Sequence, residues 1–204
     1  MSMKLKIVQV GEPVLRQVAR TLSADEIRGP AIQQLVELMR ETMRDAPGVG
    51  LAAPQIGESI QLVVIEDRAE YQQPISPERL AERERAPVPF HVIANPVLTI
   101  LDTATRLYFE GCLSVTGFGA LTPRHAAVRV TGLDERAEPV RIEARGWYAR
   151  ILQHEIDHLN GRLYVDSMLT RSFMTDASYR KSWQDKSVAE IRAELGLPAP
   201  AHQE

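Results

Sequence analysis

Between residues 30 and 46 the apolar side chains Ile32, Leu35, Val36, Met39 and Met43 recur at the spacing of one helical face, which predicts an amphipathic helix. Pro47-Gly48-Val49-Gly50 must end it. Two glycines around a valine permit backbone conformations and close approaches denied to other residues, so GVGLAAPQIG, residues 48–57, is a candidate site loop. A plain helix-to-strand turn is the alternative. QLVVIE, residues 61–66, has the unbroken β-branched character of a buried strand. Further strand patterns fall at 90–94, 97–101, 104–109, 126–133 and 139–144, with a turn at 134–138 joining the last two. A helix is expected to begin near Gly146. Ser187-Val188-Ala189-Glu190 has the capping-box pattern and predicts a helix over about 187–196, followed by a frayed tail at 199–204.

Residues 68–89 break this rhythm. They are dense in charge and hold Pro74, Pro77, Pro87 and Pro89, which marks a surface insertion with no chemistry of its own. Within it, Ser76 can cap a short helix with Pro77 at its first position. Strands clustered between helices near the two ends predict an α+β fold: antiparallel or mixed β-sheets around a central helix, with an N-terminal and a C-terminal helix.

Composition adds limits. The 204 residues are 44% apolar and 25% charged with a net charge of −3, ordinary for a soluble globular chain and unlike the basic footprint of a nucleic-acid binder. No run approaches the ~20 apolar residues of a bilayer span. The N-terminal stretch MSMKLKIVQVGEPVL lacks the apolar core and cleavage site of a secretory signal, so a cytoplasmic location is expected and membrane association is not. Cys112 is the only cysteine, which excludes an intramolecular disulfide and leaves one thiol to explain.

The chemistry concentrates in QHEIDHLNG, residues 153–161. His154 and His158, four apart on a helix, can turn a nitrogen toward one ion, and Glu155 beside them can reach a metal-bound water without being a ligand. Two exposed histidines on an ordinary helix are the alternative, but Trp147, Ile151, His154 and His158 share one stripe and place both imidazoles on the buried side. A metal site that activates water needs a third protein ligand. Asp166, Asp176, Asp185, Glu190 and Glu194 downstream offer carboxylates. Upstream, Cys112 lies in Glu110-Gly111-Cys112-Leu113-Ser114 at the end of a strand, and its thiolate would suit Zn²⁺ or Fe²⁺. His91, His125 and His202 have no partners at useful spacing.

GVGLAAPQIG, EGCLSV and QHEIDHLNG in this order resemble the three motifs of the peptide deformylases, over most of the chain to about Leu169. The resemblance implies a catalytic domain at 1–170 and a C-terminal extension at 171–204. It implies Cys112, His154 and His158 as ligands of one divalent ion, usually Fe²⁺ with Zn²⁺, Ni²⁺ or Co²⁺ able to replace it. Glu155 is then the general acid/base, and Gln55 and the Leu113 N–H face the developing oxyanion. Val49, Trp147 and Ile151 would contact the methionine side chain, while Gly50, Glu110 and Gly111 would lie along the peptide. The implied activity is removal of the N-formyl group from formylmethionyl nascent chains, with transient ribosome association and no direct nucleic-acid binding. The chain departs from many members at Thr116-Gly117-Phe118-Gly119, where a proline and an arginine are common. Its 68–89 insertion and Gly146-Trp147 resemble the organelle-type branch. Two other readings compete: an HExxH peptidase whose third ligand is not Cys112, and a non-catalytic binding module that keeps the metal as a clip.

Overall fold

A computed structural model describes residues 4–197, and the expected 199–204 tail and His202 lie outside them. The apolar stripe after Gly29 forms α2, Pro30–Asp45, with proline in its first turn and Val36, Met39 and Met43 buried. A short helix, α1, Ala24–Arg28, precedes it on a capping box between Ser23 and Glu26 that the sequence reading passed over.

The glycine-bracketed loop is neither a plain turn nor irregular. It runs through β1, Gly50–Ala52, into a 3₁₀ turn, Ala53–Ile56, and then β2, Leu62–Asp67. After the excursion come β3, Val88–Gly111, β4, Phe118–Leu133, and β5, Pro139–Arg145. These strands form one antiparallel path in sequence order. The α+β expectation holds, with a single sheet path among the described residues where more than one sheet was allowed.

Three predicted strands at 90–94, 97–101 and 104–109 are one strand, β3. Its pairing with β4 shifts register between Ala94 and Val97, Ile100 and Asp102, and Asp102 and Thr105. Extra residues at such bulges bend a strand and interrupt its alternation without ending its hydrogen bonding, so the pattern reads as three pieces.

The sheet separates two apolar layers. Val63, Ile65 and Ile93 pack toward α5, Gly146–Leu159, while Leu62, Val64 and Val92 pack with Val36, Met39 and Met43 of α2. This two-sided burial is why QLVVIE reads as a continuous apolar run. Helix α5 lies against β1, β3, β4 and β5, and Ala149 to Ile156 is buried throughout. The helix the sequence placed at the centre is there.

The 68–89 excursion contains α3, Ala69–Gln72, and α4, Pro77–Glu82, with the Ser76 hydroxyl accepting from the Arg79 N–H at 3.4 Å. It is more than a surface loop. Arg85 donates twice to Asp67, at 2.8 and 2.9 Å, with the two side chains 9% and 1% exposed. The Arg83 carbonyl accepts from the Trp147 N–H at 2.8 Å. Gly146 has φ +57°, and a Cβ there would lie 2.4 Å from that of Glu84. The excursion therefore fixes where α5 starts. Removing one partner of a buried pair leaves an uncompensated charge, so Asp67→Ala is expected to lower stability by about 3 kcal/mol or more in urea unfolding.

Beyond residue 170, β6, Met174–Thr175, pairs with β4 at Gly119 and Phe118. The helices α6, Asp176–Ser182, and α7, Val188–Glu194, follow. The expected capping box at Ser187 and Glu190 is formed, and Ile191 of α7 is buried. No helix among the described residues is long and apolar enough to cross a membrane.

Candidate active site and metal centre

The chain leaves β3 at Gly111, beside the middle of α5, so Cys112 arrives where His154 and His158 project on successive turns. The Cys112 Sγ lies 3.3 Å from His158 Nε2, which is 3.2 Å from His154 Nε2. All three donor atoms fall within 4.8 Å of one another, and no other histidine, cysteine or carboxylate group of this kind occurs among the described residues. None of the carboxylates weighed as third ligands joins this group. Asp166 pairs with Arg16, Glu190 caps α7 and Glu194 pairs with Lys186.

The fit of the donor set to a metal rests on its hydrogen bonding. Glu110 Oε1 lies 2.6 Å from His154 Nδ1. A carboxylate held low in pKa accepts there, so Nδ1 carries the proton in that contact and Nε2 is turned toward Cys112 and His158, the arrangement a ligating histidine needs. Burial alone would lower the His154 pKa, but the adjacent Cys112 and Glu110 raise it well above the usual value. Burial and the charge on His154 push His158 well below. A thiolate with two imidazoles is a set suited to Zn²⁺ or Fe²⁺.

Glu110, expected along the bound peptide, lines the cleft, and its carboxylate is held by basic side chains. Oε1 accepts from Arg124 Nη2 at 2.6 Å, and Oε2 accepts from Arg124 Nε at 3.1 Å and Arg150 Nη1 at 2.7 Å. Burial works against its charge, yet His154 and the arginines hold its pKa far below the usual range. Glu110 and Arg124 form a buried ion pair. Arg124 also pairs with Asp157.

Glu155 is on the other side of the ion site, in a space that exists because residue 50 is glycine. A Cβ on Gly50 would lie 2.2 Å from Glu155 Oε1. Among the described residues, Oε2 has no hydrogen-bond partner. Burial pushes the Glu155 pKa up to about 7. A carboxyl group poised near neutrality with an unengaged oxygen has the properties of a general acid/base.

Gln55 is oriented by its own backbone. The Ala52 N–H donates to Oε1 at 2.8 Å, which turns Nε2 toward Cys112 Sγ at 3.5 Å and Ser114 Oγ at 3.4 Å. The Leu113 carbonyl accepts from Gln9 and from the Thr116 hydroxyl, while no acceptor among the described residues engages the Leu113 N–H. Gln55 Nε2 and the Ser114 N–H, the latter at 3.4 Å, thus flank the thiol sulfur.

These groups open on a cleft of about 400 Å³. Val49, Gly50, Gln55, Gly111, Trp147 and Ile151 all line it. Every site residue named from the sequence is therefore brought to one cleft or to the ion site beneath it. The sequence reading missed Ser114, Arg150 and Phe118. Arg150 alone carried a signal, an arginine one turn before His154 on the stripe assigned to the core. His91 and His125 stand apart: Tyr148 donates to His91 Nε2 at 2.9 Å, and His125 Nδ1 meets the Thr103 carbonyl at 3.3 Å.

The family model described as polypeptide deformylase matches residues 4–173. The chain is 47% identical over 169 residues to the chloroplastic peptide deformylase 1A of Solanum lycopersicum, covering 83% of this chain and 61% of that protein. It is 43% identical over 197 residues to peptide deformylase 3 of Streptomyces avermitilis, covering 96% and 85%. It thus spans about three fifths of the length of the plant relatives and most of the bacterial ones. Among solved structures, a Met-Ala-Ser-bound class I type b peptide deformylase from Acinetobacter baumannii superposes with a TM-score of 0.72 at 32% identity. The match covers 82% of this chain and 100% of that one.

Proposed function

The chain belongs to the polypeptide deformylase family, and on that premise we propose that it hydrolyses the N-terminal formamide of formylmethionyl polypeptides, releasing formate and a free amine. The observation that carries this reading is the cleft itself, where Cys112, His154 and His158 converge beside an unpaired Glu155 carboxylate oxygen and the Gln55 amide. The three converging side chains would hold one divalent ion, which when bound supplies a Lewis acid and lowers the pKa of water. Fe²⁺ is the ion proposed, with Zn²⁺, Ni²⁺ and Co²⁺ as replacements, on the softness of the thiolate.

Glu155 takes a proton from the attacking water and returns it to the departing amine nitrogen. Gln55 Nε2 and the Leu113 N–H face the formyl oxygen as it becomes negative, and each such donor acts on the transition state more than on the ground state. The Gly50 and Gly111 backbones pair with the extended peptide in the manner of an added strand. Val49, Trp147 and Ile151 give the methionine side chain an apolar wall, and Glu110 acts behind His154 without touching the peptide. We assign residues 1–170 to this catalytic unit and 171–204 to an extension of it. The setting proposed is the cytoplasm, with transient ribosome association and no direct nucleic-acid or membrane contact.

The test is formate release from formyl-Met-Ala-Ser by protein purified without oxygen and loaded with Fe²⁺, together with its metal content. Formate appearing in step with new amine is expected; protein with a full complement of metal and no formate would sink the proposal. In the same assay, Gln55→Ala should lower kcat by about 10²–10³-fold, the usual loss for one oxyanion donor, with metal content unchanged.

A further inference from the structure

The proposed mechanism gives Arg150 no role, yet it is 3% exposed and bonded through both terminal nitrogens. Its Nη1 donates to Glu110 Oε2 at 2.7 Å and to the Thr122 carbonyl at 3.0 Å, and its Nη2 donates to the Arg106 carbonyl at 2.7 Å. Its guanidinium carbon lies 5.8 Å from the centre of the Trp147 ring and 5.4 Å from that of Tyr108. Arg150 thus touches the carboxylate that orients His154 and the aromatic ring that lines the cleft. It touches neither the three donor atoms nor the Glu155 carboxylate.

We infer that Arg150 is a positioning residue that couples the Trp147 wall of the cleft to the metal ligand His154, through the carboxylate of Glu110. This rests on the proposed metal site. The fork geometry supports it. A guanidinium has several donors in one plane, and here they are divided between a carboxylate and two backbone carbonyls of adjacent strands, so the carboxylate plane is tied to the β3–β4 sheet. Arg124 holds the same carboxylate from another side. With Asp157 the group contains two acidic and two basic side chains, so it is balanced in charge without the site. Removing Arg150 would leave an excess negative charge in a buried place, and the Glu110 carboxylate would be free to rotate away from His154 Nδ1. The opposite end of the strut is the aromatic face, to which a cation is attracted by the ring. Displacement of Trp147 should therefore be felt at His154, two helical turns away.

Metal release separates this role from plain structural support. Wild type and variants, loaded with Co²⁺, are mixed with a strong chelator and the release rate is followed, alongside KM for formyl-Met-Ala-Ser. Arg150→Met is expected to release Co²⁺ about 10–100-fold faster, the loss typical of an outer partner of a ligand, and to raise KM. Arg150→Lys restores the charge without the fork and should recover only part of the slow release. Trp147→Leu should also hasten release, although the ring contacts no ligand, and the Arg150→Met/Trp147→Leu double variant should release no faster than Arg150→Met. Full recovery by lysine, or unchanged release in Trp147→Leu, would overturn the coupling. If Arg150→Met does not fold, the lysine and leucine variants decide the matter. A wild type that binds no Co²⁺ would instead refute the proposed metal site.

Discussion

Glu155→Gln is expected to retain its metal and lose about 10⁴-fold in formate release, the upper end of what one acid/base group contributes. Two features place it there. The same carboxylate must serve both halves of the reaction, accepting the proton of water and then giving it to the amine. Neither Glu110 nor Asp157 can take over, because Glu110 is held by His154, Arg124 and Arg150, and Asp157 by Arg124. Glutamine is close in shape, so it preserves packing under Gly50 and leaves the three donor side chains alone. The variant also has a pH signature. Burial pushes the Glu155 carboxyl up to about 7. A nearby divalent cation favours the carboxylate and moves the value down. The base must be ionised, so wild-type kcat/KM should fall as pH drops through a value below about 7, and this limb should vanish from the residual activity of the Gln variant. Substantial turnover by metal-loaded Glu155→Gln would assign the proton transfer to another group.

Cys112→Ser should carry the second largest effect, on the ion rather than on the proton. Serine is nearly isosteric and keeps the fold, but its hydroxyl does not ionise at neutral pH and is a hard donor in place of a soft one. Gln55 Nε2 and the Ser114 N–H both point at the sulfur, at 3.5 and 3.4 Å. Losing a direct ligand should weaken metal binding by more than the ~10–100-fold that loss of an outer partner causes, with activity falling in parallel. Metal analysis after dialysis against a weak chelator, paired with the formate assay, checks this. Unchanged metal content and activity would return the chain to the HExxH peptidase reading, with another third ligand.

Much of the site was legible because its parts are local. The i, i+4 spacing of His154 and His158 fixes their common face wherever the helix lies, and Gly48, Gly50 and Gly111 mark backbone that something must approach. For Gly50 that something is the Glu155 carboxylate, more than a hundred residues away in the chain, and only the packing of α5 on β1 identifies it. Glu110 shows the same limit. The resemblance implied a place for it along the peptide; the partners of its side chain follow from β3–β4 pairing, which brings Arg124 beside it, and from the seating of α5, which brings Arg150 and His154.

By itself the sequence determined the helical stripes, the capping box at Ser187, the turn at 134–138, the two histidines and the single thiol, because each depends on neighbours within about one or two helical turns or on mere count. It also suggested an excursion at 68–89, but could not show that Arg85 returns to Asp67 and that Arg83 and Glu84 set the first residue of α5. The continuity of β3 through its bulges and the Glu110 network were decided by tertiary structure alone. Their contacts join residues far apart in the chain, and strand register and the docking of α5 select those contacts from many that local pattern allows equally.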